Sequence, residues 1–126
     1  MLIYKIFRRA EWDSFRAAGE TTGAPIDVAD GYVHFSTAAQ VAETAAKHFA
    51  TESDLVLLAL NSGTLGEALK WEASRGGALF PHLYRALRLG DVIWDKSLPL
   101  GATGHIFTRA SGEPLRTRGP GPAAPP

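Results

Sequence analysis

The stretch Asp54–Leu60 (DLVLLAL) limits the fold more than any other part of the chain. From Leu55 onward every residue in it is apolar, so an extended segment has no polar face. Such a run is expected for a strand covered on both faces. Leu2–Phe7 (LIYKIF) predicts a second strand, with Leu2, Tyr4 and Ile6 on one side and Ile3, Lys5 and Phe7 on the other. Arg9–Ala18 reads as a helix that carries Trp12 and Phe15 on one face and stops at Gly19. Thr21–Asp30, with Pro25, reads as a loop, and Asp30-Gly31 as a turn. Tyr32–Phe35 predicts a short strand. Thr37-Ala38-Ala39-Gln40 matches a capping box that opens a helix running to about Phe49, with Val41, Ala45 and Phe49 as its stripe.

Beyond that strand, Asn61-Ser62-Gly63 turns the chain, and Thr64–Leu69 fits one helical turn. Lys70–Ala73 predicts a short strand and Arg75-Gly76-Gly77 a mobile turn. Phe80–Leu87 reads as irregular around Pro81, and Val92–Trp94 and His105–Thr108 read as closing strands. Only the first half alternates strand and helix, which argues against a doubly wound sheet. The expected architecture is α+β: two small helices on a bent, mainly antiparallel sheet. Five of the eight prolines fall in Ser111–Pro126, where one leucine is the sole large apolar side chain. That composition predicts a flexible tail behind a single domain of residues 1–110.

Charge and composition remove several function classes. Lys+Arg and Asp+Glu number 13 each, so no general electrostatic grip on nucleic acid or anionic membrane is expected. The absence of cysteine excludes disulfides, thiolate metal sites and cysteine nucleophiles. No apolar run approaches membrane-spanning length, and the N-terminal charges follow an apolar run, the reverse of a secretory signal. A cytoplasmic protein is expected.

Three clusters carry chemistry. In GYVHFST (Gly31–Thr37) a strand delivers His34 to a helix start, where Ser36, Thr37 and free N–H groups suit a phosphate or carboxylate. The structural reading is a capped helix beside a half-buried histidine. In KWE (Lys70–Glu72) an extended backbone buries Trp71 and turns Glu72 towards a cleft, or towards water and a basic neighbour. In FPHLYR (Phe80–Arg85), His82 and Tyr84 lie on one side, and Arg85 adds a fixed charge suited to phosphate; the structural reading is a packed tyrosine and histidine. His48 and His105 read as structural. Metal binding by His34, His82 and His105 lacks any HxH or HExxH spacing, and no GxGxxG, GxxxxGK[ST] or GxSxG motif occurs.

Tyr4-Lys5-Ile6, Trp12, Asp30–Thr37, Gln40, Leu55–Leu58, Trp71-Glu72 and Phe80–Tyr84 occur in an order that resembles the domain-of-unknown-function family 952. The resemblance extends over Leu2–Phe107. It implies a fold related to the ADP-ribosyltransferases, which hold NAD between the halves of a split, bent sheet. It also implies that His34 and Lys5 face that cleft. Lys5 stands where the family often has histidine, and Arg85-Ala86 where it tends to have Gly-Pro; a lysine meets a phosphate rather than a ribose hydroxyl.

The resulting expectation is an enzyme that uses NAD, ADP-ribose or another phosphorylated nucleotide. Glu72, His34 and His82 are its candidate catalytic residues, and Lys5, Ser36, Thr37, Tyr84 and Arg85 its candidate ligand-binding residues. The competing expectations are a non-catalytic module for small molecules or anions, and a structural or interaction domain.

Overall fold

The computed structural model describes residues 1–107, so the expected tail from Ser111 lies outside the described residues. The elements are β1 (Leu2–Arg8), α1 (Arg9–Ala18), β2 (Glu20–Thr21), α2 (Pro25–Asp30), β3 (Val33–His34), β4 (Ser36–Thr37) and α3 (Val41–His48). There follow β5 (Leu55–Asn61), β6 (Leu69–Ala73), β7 (Leu79–Leu83), β8 (Leu87–Arg88), β9 (Val92–Leu98), β10 (Leu100–Gly101) and β11 (Gly104–His105). Every pairing among them is antiparallel. No helix among the described residues is long and apolar enough to cross a membrane.

The apolar run forms β5 and lies inside a sheet of order β4-β1-β5-β9. Its side chains alternate between two cores. Val56, Leu58 and Leu60 pack with Ile3, Phe7 and the α1 residues Trp12 and Phe15. Leu55 and Leu57 pack with Ile6, with Val41 and Ala45 of α3, and with Leu98. Burial on both faces is therefore the reason the run has no polar position. Helix α1 ends as its glycine dictates: Gly19 adopts φ 82°, and its N–H donates to the Phe15 carbonyl at 2.8 Å.

A second sheet has the order β3-β7-β6. The chain passes from it to the larger sheet between His34 and Ser36, so Phe35 marks the junction. Pro81 explains why β3 is so short. The Phe35 N–H donates to the Pro81 carbonyl at 3.0 Å, but the reciprocal bond needs an N–H that proline lacks. The segment from Phe80 is thus not irregular: Leu79–Leu83 is the middle strand of this sheet, with its one missing donor placed where the ladder ends.

Three further expectations are corrected. Thr21–Asp30 is not a plain loop, because Pro25–Asp30 forms α2 and raises the helix number to three. Proline is tolerated at a first helical position, and Gly31 at φ 86° closes the helix. Ile26 and Val28 are exposed, so α2 has no apolar stripe to betray it. Thr37 does not cap α3. It lies in β4, a turn before the helix, and its buried hydroxyl has no hydrogen-bond partner among the described residues. Only the Gln40 half of the box forms, with the Gln40 Oε1 accepting the Thr37 N–H at 3.0 Å. Trp71 is not buried: opposite Pro81 at the sheet edge it stays 39% exposed.

Candidate functional site

The β3-β7-β6 register sets His34 opposite His82 and His82 opposite Lys70, so these side chains share one face. Glu72 and Tyr84, each two residues further along, share it too. The opposite face carries Val33 and Leu83 into the core. Period-2 alternation thus separates a packing face from a polar, aromatic one.

Each histidine is held by its own carboxylate. The His82 Nδ1 lies 2.8 Å from the Glu72 Oε1, and the Tyr84 hydroxyl donates to the same oxygen at 2.7 Å. The His34 Nδ1 lies 2.5 Å from the Asp27 Oδ1, and its Nε2 lies 2.9 Å from the Asp30 Oδ2. The two imidazole rings are 5.3 Å apart, edge to face. Tyr32 covers them, its ring 4.6 Å from His34, 4.2 Å from His82 and 5.1 Å from Tyr84.

Asp27 is the hub beneath this arrangement, and its side chain is fully buried. It accepts from the Lys5 Nζ at 2.7 Å, the Ala24 N–H at 2.7 Å, the His34 N–H at 3.0 Å and the His34 ring. Its carboxylate ties β1, α2 and β3 together. Gly23 lets the chain pass close by: at φ +102°, a Cβ there would meet the Asp27 Oδ2 at 2.3 Å.

Electrostatics follow from these contacts. Burial alone raises the Asp27 pKa, but the His34 and Lys5 hydrogen bonds and the lysine charge outweigh it, and the carboxyl is held below the usual range. Burial pushes the Lys5 ammonium down while Asp27 pulls it back up. Of the pair, Asp27 is the partner whose ionised form the fold protects, because backbone donors serve it as well. The bonds from Tyr84 and then His82 hold Glu72 below the usual range. The same Glu72 bond pushes the Tyr84 phenol up to about 12.

A cleft of about 720 Å³ opens between α2, α3, β1 and the β3–β7 face, within the ~300–1,000 Å³ typical of small-molecule sites. Lys5, His34, Ser36 and His82 line it, with Phe35, Phe49 and Phe80 as aromatic wall. Four of the expected site residues therefore converge. Ser36 hydrogen-bonds Thr44 of α3 at 2.8 Å, hydroxyl to hydroxyl. Glu72 and Tyr84 stand behind His82 and are not part of the wall. Thr37 is sealed in β4. Arg85 is turned away, binding Asp91 through two nitrogens at 2.9 and 3.2 Å. His105 is structural, its Nε2 2.8 Å from the Glu52 carbonyl oxygen. His48 lines the cleft at the end of α3. Among the described residues no group of three His, Asp or Glu side chains is placed to hold a metal ion.

Asp27, Asp30 and Tyr32 are the site residues that sequence reasoning missed. Asp27 had a signal: an acidic side chain at the third position of a helix opened by Pro25 accepts N–H groups at the helix start. Tyr32 lies two residues before His34, on the same face of an extended segment.

Comparison with known proteins adds family and fold. A family model described as a protein of unknown function (DUF952) matches residues 6–95, from within β1 to within β9. The chain is similar to the crystal structure of protein CC0527 from Caulobacter crescentus. The two are 50% identical with a TM-score of 0.80, covering 91% of this chain and 94% of that one. The solution NMR structure of CC0527 is 54% identical with a TM-score of 0.75, covering 82% and 90%. None of the curated proteins matches.

Proposed function

We propose that this chain, which belongs to the DUF952 family of proteins of unknown function, binds NAD, ADP-ribose or a related phosphorylated nucleotide and performs acid–base chemistry on it. One observation carries the reading. His34 and His82 reach the same cleft from neighbouring strands, 5.3 Å apart, and each is oriented through Nδ1 by its own carboxylate. A carboxylate on Nδ1 fixes the tautomer, so the His82 Nε2 is the basic nitrogen. It would take a proton from a ribose hydroxyl or a water. His34, held between Asp27 and Asp30, would donate a hydrogen bond to the ligand.

The aromatic wall of Phe35, Phe49 and Phe80 suits a planar base. Glu72 reaches the cleft only through His82, so in this reading it orients His82 rather than touching substrate. The crossing of the chain between two sheets at Phe35, beside the cleft, supports an ADP-ribosyltransferase-like split sheet.

Calorimetry with NAD, ADP-ribose and 2′-phosphorylated nucleotides tests the proposal. Saturable heat with one of them, lost in His82→Ala, supports it; no heat with any at millimolar concentration removes it. A second reading, a non-catalytic binding module, is favoured because Glu72 does not line the cleft itself. Binding without turnover, unaltered in affinity by Glu72→Gln, would select it.

A further inference from the structure

We infer that in the free protein Asp30 occupies the place that a phosphate oxygen takes when ligand binds, so that His34 is the phosphate-binding cation of the cleft and Asp30 its competitor. The inference rests on the nucleotide reading of the cleft and adds to it where the phosphate goes.

His34 has one nitrogen committed to the fold. Its Nδ1 contacts the Asp27 Oδ1, and that carboxylate is inaccessible and shared with Lys5, Ala24 and the His34 backbone. The other nitrogen, Nε2, meets the Asp30 Oδ2 at 2.9 Å. The first contact is a hydrogen bond to an oxygen that only accepts, and the second is an ion-pair contact when the ring carries both protons. Carrying both protons, the ring meets a carboxylate on each side, inward a permanent partner and outward a replaceable one.

Asp30 is replaceable for three reasons. Its side chain is 39% exposed, so its carboxylate can turn into water at small cost. It is the last residue of α2, and Gly31 follows in the left-handed conformation with open space around it. It also lines the cleft, so whatever enters there meets the same donor.

The newcomer must carry anionic oxygen. A hydroxyl or amide competes poorly with a carboxylate for a charged donor, whereas phosphate offers the same acceptor with more charge. The lysine and the arginine of the cleft wall are already matched: Lys5 by Asp27 at 2.7 Å, and Arg8 by Glu52 at 2.7 and 2.9 Å. His34 is the cation that departure of Asp30 uncovers. This moves the phosphate from Lys5 or Arg85, its expected holders on sequence, to His34.

The test is a titration of wild type, Asp30→Ala and Asp30→Asn with inorganic pyrophosphate, and separately with acetate, followed by the ring ¹H–¹⁵N signals of His34. Pyrophosphate is expected to shift the His34 signals saturably in all three proteins, with about fivefold tighter binding in Asp30→Ala. Acetate is expected to bind more weakly than pyrophosphate. Asp30→Asn, which keeps the side-chain shape, is expected to tighten binding as well, and carries the test if the alanine variant does not fold. No response of His34, or no tightening in the folded variants, overturns the inference. Acetate binding as tightly as pyrophosphate overturns the assignment to phosphate. The two readings fail separately. Tightened pyrophosphate binding at His34 with no heat from any nucleotide retains the anion site and removes the nucleotide reading. Nucleotide binding that Asp30→Ala does not tighten removes this inference alone.

Discussion

Replacing Asp27 by alanine is expected to be the most damaging single change in the site. The substitution removes the carboxylate that accepts from Lys5, Ala24 and, twice, His34. It leaves the Lys5 ammonium buried without its counter-ion. Breaking one side of a buried ion pair costs about 3–5 kcal/mol, against a total stability of about 5–15 kcal/mol for a domain. At about 4–8 °C per kcal/mol for a domain near this size, the melting point is expected to fall by at least about 12 °C. Lys5→Met is the control, because it leaves Asp27 with three of its donors, and it is expected to cost less. Urea unfolding followed by tryptophan fluorescence reads both, since Trp12 is buried in the core that Asp27 adjoins through β1. A loss below about 1 kcal/mol for Asp27→Ala, or a larger loss for Lys5→Met, would refute the hub.

Four other outcomes are expected. Because Asp27 titrates below its unfolded value of about 3.9, its contribution to stability is present above that pH and lost as pH falls through the lower folded value. Urea midpoints of the wild type should therefore drop below about pH 4, and more shallowly in Asp27→Asn. Tyr84, raised to about 12, should stay protonated at pH 10 in absorbance titration at long ultraviolet wavelength, and Glu72→Gln should return it towards the ordinary phenol value. Gly23→Ala should destabilise the fold and shift the His34 signals, since its Cβ would meet the Asp27 carboxylate at 2.3 Å. Leu58→Ala, in the middle of β5 and fully buried, should cost about 2–5 kcal/mol in chemical denaturation.

What the sequence revealed follows from which signals are local. The unbroken apolar run at Leu55–Leu60 marked a strand covered on both faces, because such burial leaves no polar position. Arg9–Ala18 matched α1 because an apolar pair and a terminal glycine together specify where a helix starts and stops. His34, Ser36 and His82 stood out by type and neighbourhood, and they do share a cleft. Helix α2 was hidden because its anchor is a buried aspartate and its apolar residues face water. The fate of Arg85 depended on Asp91, six residues on, which no periodicity announces. The exposure of Trp71 depended on its strand being the sheet edge, a matter of topology rather than pattern.

The convergence of two carboxylate-held imidazoles on one cleft is the claim from which the functional reading grows. Its most direct test is the ring ¹H–¹⁵N spectrum of the wild-type protein during titration with ADP-ribose. The His34 and His82 signals are expected to shift together along one saturating curve, while His105, bound to the Glu52 carbonyl, stays still. Signals of both site histidines that do not move at millimolar ADP-ribose, or that move no more than His105, would contradict it.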